Sequence, residues 1–217
     1  SHTGGARNMA TDEAMLAAVA GGEQPPTLRL YGWTPPCLSL GYGQHSGEVD
    51  ITRLKARGWE IVRRPTGGSA ILHIDELTYS IALPIDHDLA RGGVVESYRR
   101  ISTALQAALV NLGLQPRAER AESPVVAKPV CFETPSHYEI TVEGRKLVGS
   151  AQVRRRTGLL QHGTLPLTGD ISRICDALIY PDDEARAAAK AAVRALSDRR
   201  VAARRANALV ARHALAI

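Results

Sequence analysis

At 217 residues, with 44% hydrophobic and 23% charged residues, the chain has a globular composition and is long enough to bury a substantial core. It holds no apolar run able to cross a bilayer, and Ser1–Met9 lacks the basic-then-apolar pattern of a signal peptide, so a cytoplasmic protein without a membrane partner is expected. The net charge of +5 comes from 27 basic against 22 acidic residues spread along the chain, which favours acidic partners but does not point to nucleic acid.

Met9, Met15, Leu16 and Val19 recur at helical spacing, with Thr11 and Asp12 near the start. This predicts an amphipathic helix over Asn8–Val19 that Gly21-Gly22 ends. Thr27–Tyr31 and Leu38–Tyr42 read as short strands that the Pro35-Pro36 turn joins into a hairpin or meander. A short helix over Asp50–Arg57 stops at Gly58, and strands follow at Trp59–Arg63, Ala70–His73 and Leu77–Leu83 around the loop Arg64–Ser69. Val94–Leu112 is the clearest helix. Val95, Tyr98, Ile101, Leu105, Ala108, Leu109 and Leu112 share one face, which should pack across the sheet, and Gly113 ends it. From Gln115 to Thr134 the chain reads as irregular, with Pro116, Pro124, Pro129 and then Pro135 as breakers, and long irregular loops in compact domains are often functional. Tyr138–Val142 and Lys146–Ala151 flank the hairpin signal Glu143-Gly144-Arg145, and Gly158–Thr164 is a further strand. Asp182–Ile217, rich in Ala and Arg, reads as helical. No internal repeat or low-complexity linker divides the chain, so a single α+β domain over residues 1–217 is expected.

Two segments could carry chemistry. In Arg63-Arg64-Pro65-Thr66-Gly67-Gly68-Ser69-Ala70 a strand ends in two guanidinium groups and turns through paired glycines. Glycine lets backbone N–H groups approach a ligand, and arginine complements phosphate or carboxylate; a tight turn beside two solvated arginines has the same pattern. Cys131 lies in the proline-bounded loop, where its sulfur can face a pocket, whereas Cys37 and Cys175 fall in a predicted strand and helix and read as buried small hydrophobes. The three cysteines are far apart with no CxxC pair, which predicts reduced thiols. A cysteine thiol titrates at about 8.5, so a nucleophile near neutrality needs a nearby cation, and Lys146 on the adjacent hairpin can supply one. A surface lysine would fit that spacing as well. His73 and His162 end or interrupt apolar strands, where a histidine is more often a hydrogen-bonded structural residue than a catalyst, with the functional reading as open as the structural one for His162. His2, His45, His87, His137 and His213 have no metal-ligand spacing, so no metal is expected. The Arg-rich stretch Arg194–Arg212 reads as a solvated helical face, with docking of an acidic carrier protein left open.

Taken together, these segments resemble the lipoate–protein ligase and octanoyltransferase family, to which the biotin protein ligases are distantly related. The resemblance runs through Asn8–Glu13, Leu28–Trp33, Ser39–Gln44, Arg63–His73 with Glu76–Ser80, Cys131–Ser136, Gly144–Gln152 and Leu160–Gly163, about three quarters of the chain. It implies a biotin/lipoate protein ligase-like α+β fold of mixed β-sheets flanked by helices. The Cys131-Phe132-Glu133-Thr134-Pro135-Ser136 loop is similar to that of the cysteine-dependent octanoyltransferase branch, and the family lysine that lowers the thiol pKa falls on Lys146. The resemblance implies that octanoate passes from acyl carrier protein to Cys131 as a thioester, then to a lysine on the lipoyl domain of glycine-cleavage H protein or an E2 subunit. The donor thioester is already activated, so neither ATP nor any cofactor is expected. The same resemblance puts Arg64, Gly67, Gly68, Ser69, Gly149, Ser150 and Ala151 along an apolar acyl tunnel, with His73 and His162 near its mouth.

Three features depart from the family pattern. Ser69 stands where a third glycine is common, the strand that usually precedes the first helix is not evident, and no small C-terminal ligase domain follows, which favours a transferase. The alternatives are an ATP-dependent lipoate ligase that uses Arg64, the glycine loop and Lys146 on an acyl-adenylate phosphate, an amidotransferase between lipoyl domains, and a non-enzymatic carrier-binding module.

Overall fold

The computed structural model describes residues 2–119, 139–142 and 145–198. Strand β1 (His2–Thr3) leads into helix α1 (Gly5–Ala20), then β2 (Thr27–Trp33), β3 (Cys37–Leu40), α2 (Ile51–Ala56), β4 (Glu60–Arg63), β5 (Ile71–His73) and β6 (Glu76–Pro84). Helix α3 (Val94–Asn111) follows, then β7 (Pro116–Glu119), β8 (Glu139–Val142), β9 (Arg145–Arg154), β10 (Gly158–Pro166), a 3-10 turn at Ile171–Ala177 and α4 (Asp183–Asp198). The strands make a seven-stranded sheet in the order β1-β2-β6-β10-β9-β8-β7 and a three-stranded sheet in the order β4-β3-β5. Both are mixed, since β1 with β2 and β3 with β4 are parallel while the other pairs are antiparallel. The α+β expectation holds.

Local chemistry explains the element ends. The Asp50 carboxylate accepts from the Arg53 amide and so caps α2, and the chain turns at Gly58 with φ +67. Glu96 Oε2 accepts from the Gly93 N–H at the start of α3. Leu16 and Val19 of α1 pack on Ala82 of β6 and Leu160 of β10, whereas Leu109 of α3 joins Tyr79, Ile140 and Leu147 on the seven-stranded sheet. Leu38 and Leu40 of the small sheet are covered by Leu54 of α2, Val193 of α4, and Ile174. Leu160 is fully buried between α1 and the sheet, so Leu160→Ala is expected to cost about 2–5 kcal/mol, read from urea-unfolding midpoints.

Three sequence expectations need correction. Strands β2 and β3 form no hairpin: β2 pairs with β1 and β6 while β3 pairs with β4 and β5, so the Pro35-Pro36 segment carries the chain from one sheet to the other. A strand does precede the first helix, because His2 and Thr3 pair with Gly32 and Trp33, and the Asn8 side-chain amide donates to the carbonyls of Thr3 and Gly32 at that junction. Pro116–Glu119, expected to be irregular, pairs with β8; Pro116 occupies the first position of the strand, where proline is tolerated. The remainder of the proline-rich loop, with Cys131, lies outside the described residues, as do residues 199–217 of the expected C-terminal helical segment.

Candidate active site

A cavity of about 320 Å³ opens where the two sheets meet. One wall comes from the large sheet, because register places Tyr31, Thr78, Thr164 and Gly149 in one row across β2, β6, β10 and β9, with Ser80, His162 and Ala151 in the next row on the same face. Ser39 of β3 and Ile71 and His73 of β5 line the other wall, Met9 of α1 lies behind, and Val94, Val95 and Tyr98 of α3 complete the lining. Most of this surface is apolar. Its exposed lining residues include Gly67, Gly68, Val94 and Val95, which mark where it meets solvent.

Of the residues singled out from the sequence, Arg64, Gly67, Gly68, His73, Lys146, Gly149, Ser150, Ala151 and His162 all line this cavity. Ser69 is not among the lining residues; its carbonyl accepts from Arg64 Nη2 at 2.9 Å. Lys146 is half-buried near the start of β9, where it pairs with Thr141 of β8. His73 and His162 are buried within the walls, at 5% and 6% exposure, so neither sits at an open rim. The two arginines differ from each other, Arg63 being exposed and Arg64 buried. Arg63 donates to the carbonyls of Gly41, Tyr42 and Gln44, and buried Arg64 donates to those of Ser39, Gly67 and Ser69. Their charges hold backbone, and the adjoining glycine loop is shaped accordingly. Gly68 takes φ +94, which favours glycine, and a side chain at Gly41 would collide with the Gly68 carbonyl.

Sequence reasoning missed two carboxylates behind the walls. Asp12, with no exposed surface, accepts from Arg29 Nη1 at 2.7 Å, Tyr31 Oη and Ser80 Oγ at 2.8 Å each, and lies 3.3 Å from His162 Nδ1. Burial works against its charge, but the hydrogen bonds and charge of His162 and the hydroxyls of Ser80 and Tyr31 hold its carboxyl below the ordinary 3.8. Burial also dominates at His162 and pushes its pKa down, against the hydrogen bond and charge of Asp12. Glu76 binds His73 Nδ1 and accepts from Thr78 Oγ1 at 2.8 Å; burial opposes its charge, and His73 and Thr78 outweigh that and keep its pKa low. His73 stacks on Trp33 with ring centroids 3.9 Å apart. A signal for Asp12 was present, since Asn8, Asp12, Leu16 and Val19 recur on one helical face, which places a carboxylate in an apolar stripe. Glu76 lay within the Glu76–Ser80 segment of the resemblance, but its pairing with His73, three residues away across a turn, carried no periodic signal.

Cys37 and Cys175 are fully buried, as expected, and burial beside Glu60 pushes the Cys37 thiol up to about 12, so it is protonated near neutrality. Among the described residues no cluster of His, Cys, Asp and Glu could hold a metal ion, and no helix is long and apolar enough to cross a membrane.

With this geometry, residues 5–203 match the model of the lipoyl protein ligase A/B catalytic domain. The chain belongs to that family. Relatives named octanoyltransferase LipM include those of Kyrpidia tusciae, 47% identical over 85% of this chain and 71% of its own length, and Carboxydothermus hydrogenoformans, 48% identical over 78% and 64%. That of Staphylococcus aureus is 43% identical over 81% and 67%. The chain therefore spans about two thirds of the length of these relatives. A lipoate-protein ligase A bound with ATP superposes with TM-score 0.66 at 25% identity, covering 86% of this chain and 72% of the other. A bipartite lipoate protein ligase of Thermoplasma acidophilum has TM-score 0.68 at 23% identity, covering 89% and 70%, a likeness of fold. The biotin/lipoate ligase-like fold expected from the motifs is thereby established.

Proposed function

We propose that the protein is an octanoyltransferase of lipoate biosynthesis that carries octanoate as a thioester on Cys131, with Lys146 favouring the thiolate. The observation that carries this reading is the apolar cavity with Lys146 and the Gly67-Gly68 loop in its lining. The connection that holds Cys131 leaves β7 at Glu119 and re-enters β8 at Glu139, two paired residues, and β8 in turn pairs with the start of the Lys146 strand. This topology supports a cysteine tethered within reach of the lysine. The octanoyl donor is acyl carrier protein, and the acceptor is a lysine on the lipoyl domain of H protein or an E2 subunit. Thiolate attack on the donor carbonyl expels the carrier thiol, and the acceptor amine then attacks the enzyme thioester, forming an amide and returning the Cys131 thiol. Thiol chemistry of this kind suits the reducing cytoplasm.

Relatives named octanoyltransferase stand above 40% identity, while the ATP-bound ligase stands at 25%, which favours transfer over adenylation. Arg64 points the same way, since its guanidinium already donates to three carbonyls. Octanoyl-acyl carrier protein should therefore octanoylate a lipoyl domain without ATP, followed by intact-protein mass spectrometry. Strict dependence on ATP with free octanoate would move the assignment to a ligase. Transfer solely from an octanoylated lipoyl domain would move it to the amidotransferase.

A further inference from the structure

The Gly67-Gly68 loop is held from two sides. On one side, the Asp12 carboxylate accepts from His162 Nδ1–H, which turns His162 Nε2 to the Thr66 hydroxyl at 2.6 Å. On the other, Glu76 accepts from His73 Nδ1–H, which turns His73 Nε2 to the Ser39 hydroxyl at 2.7 Å. Ser39 Oγ also accepts from Arg64 Nη1 at 3.2 Å, and Arg64 Nη2 donates to the Gly67 carbonyl at 2.7 Å and the Ser69 carbonyl at 2.9 Å. Both chains thus run outward from a buried carboxylate to the same four-residue loop. With the Gly67 carbonyl turned to Arg64, the planar trans peptide aims the Gly68 N–H in the opposite direction. The Thr66 carbonyl is also engaged, by the Tyr42 N–H at 2.8 Å.

Such an arrangement exceeds what a turn requires. Strands β3, β5, β6 and β10 and helix α1 all contribute buried polar side chains that serve a single stretch of backbone. We infer that the chains Asp12–His162–Thr66 and Glu76–His73–Ser39–Arg64 set the backbone direction of the Gly67-Gly68 loop, and that Thr66 is a positioning residue for acyl transfer. The kinetic part of this inference rests on the acyl-transfer reading above, while the structural part does not.

The test compares Thr66→Val, which keeps the shape and removes the hydroxyl, with Thr66→Ser, which restores it. Hydrogen exchange of the loop amides reports the backbone directly, and kcat and KM for octanoyl transfer from acyl carrier protein report its use. Thr66→Val is expected to speed loop exchange and to lower kcat about tenfold or more with KM little changed, as loss of alignment does, and Thr66→Ser should recover both. Loop exchange as slow as wild type in Thr66→Val overturns the relay, as does a Thr66→Ser variant no better than Thr66→Val. Faster exchange with wild-type kcat overturns the positioning role. A wild-type protein that transfers no octanoyl group sinks the acyl-transfer reading, and the exchange comparison still decides the relay. Should Thr66→Val fail to fold, Ser39→Ala, which severs the other chain between His73 and Arg64, is expected to loosen the same amides, and its failure to do so overturns the inference.

Discussion

Cys131→Ser is expected to abolish octanoyl transfer, by about 10³-fold or more, because a serine hydroxyl without a dedicated base cannot replace a thiolate as nucleophile and leaving group. On the proposed route the cysteine acts twice. It first displaces the carrier thiol, an exchange between groups of similar leaving ability, and then departs when the acceptor amine attacks. An oxygen ester formed on the substituted side chain would give up its acyl group to an amine far more slowly, so any adduct should accumulate without product. Cys37→Ala and Cys175→Ala serve as controls, since both thiols are buried and Cys37 is held protonated. Intact-protein mass spectrometry of the adduct, beside product formation, separates the two steps. Wild-type turnover in Cys131→Ser would sink the covalent route.

Lys146→Ala should lower transfer about 10²-fold, within the range that a positioned cation or proton carrier supplies. A neighbouring positive charge favours the thiolate, so in the wild type the pKa of Cys131 is expected below the unperturbed value of about 8.5, with fast alkylation at neutrality. Removing the charge raises that pKa. Iodoacetamide should therefore label Cys131 slowly at pH 7 in Lys146→Ala, with the rate recovering as pH rises through about 8.5. Lys146→Arg keeps the charge but cannot release a proton, so thiolate formation should survive better than aminolysis. An unchanged alkylation profile and adduct rate in Lys146→Ala would remove Lys146 from the mechanism.

What the sequence disclosed follows from the range of the interactions concerned. Helices α1 and α3 were legible because their buried faces repeat within the element, and β4, β5, β6 and β10 because turn residues bracket short apolar runs. The separation of β2 from β3 was not legible, since a two-proline turn gives no account of which sheet receives the next strand. The proline content that read as irregular chain concealed β7, whose pairing depends on β8 some twenty residues further on. Within the site, the glycine loop, Lys146 and the two histidines stood out by residue type and context. Thr66 and Ser39 did not, because a threonine and a serine acquire meaning only when register brings His162 and His73 to them across 96 and 34 residues of chain.

The main walls of the cavity belong to two sheets that, among the described residues, share no backbone ladder. Its girth is therefore not fixed by strand spacing, as the interior of a closed barrel would be, but by side chains that bridge the seam, His162 to Thr66 and the Trp33–His73 stack among them. On the acyl-transfer reading, the width available to the chain is set by these bridging residues, and substitutions among them can retune it without redrawing a single strand.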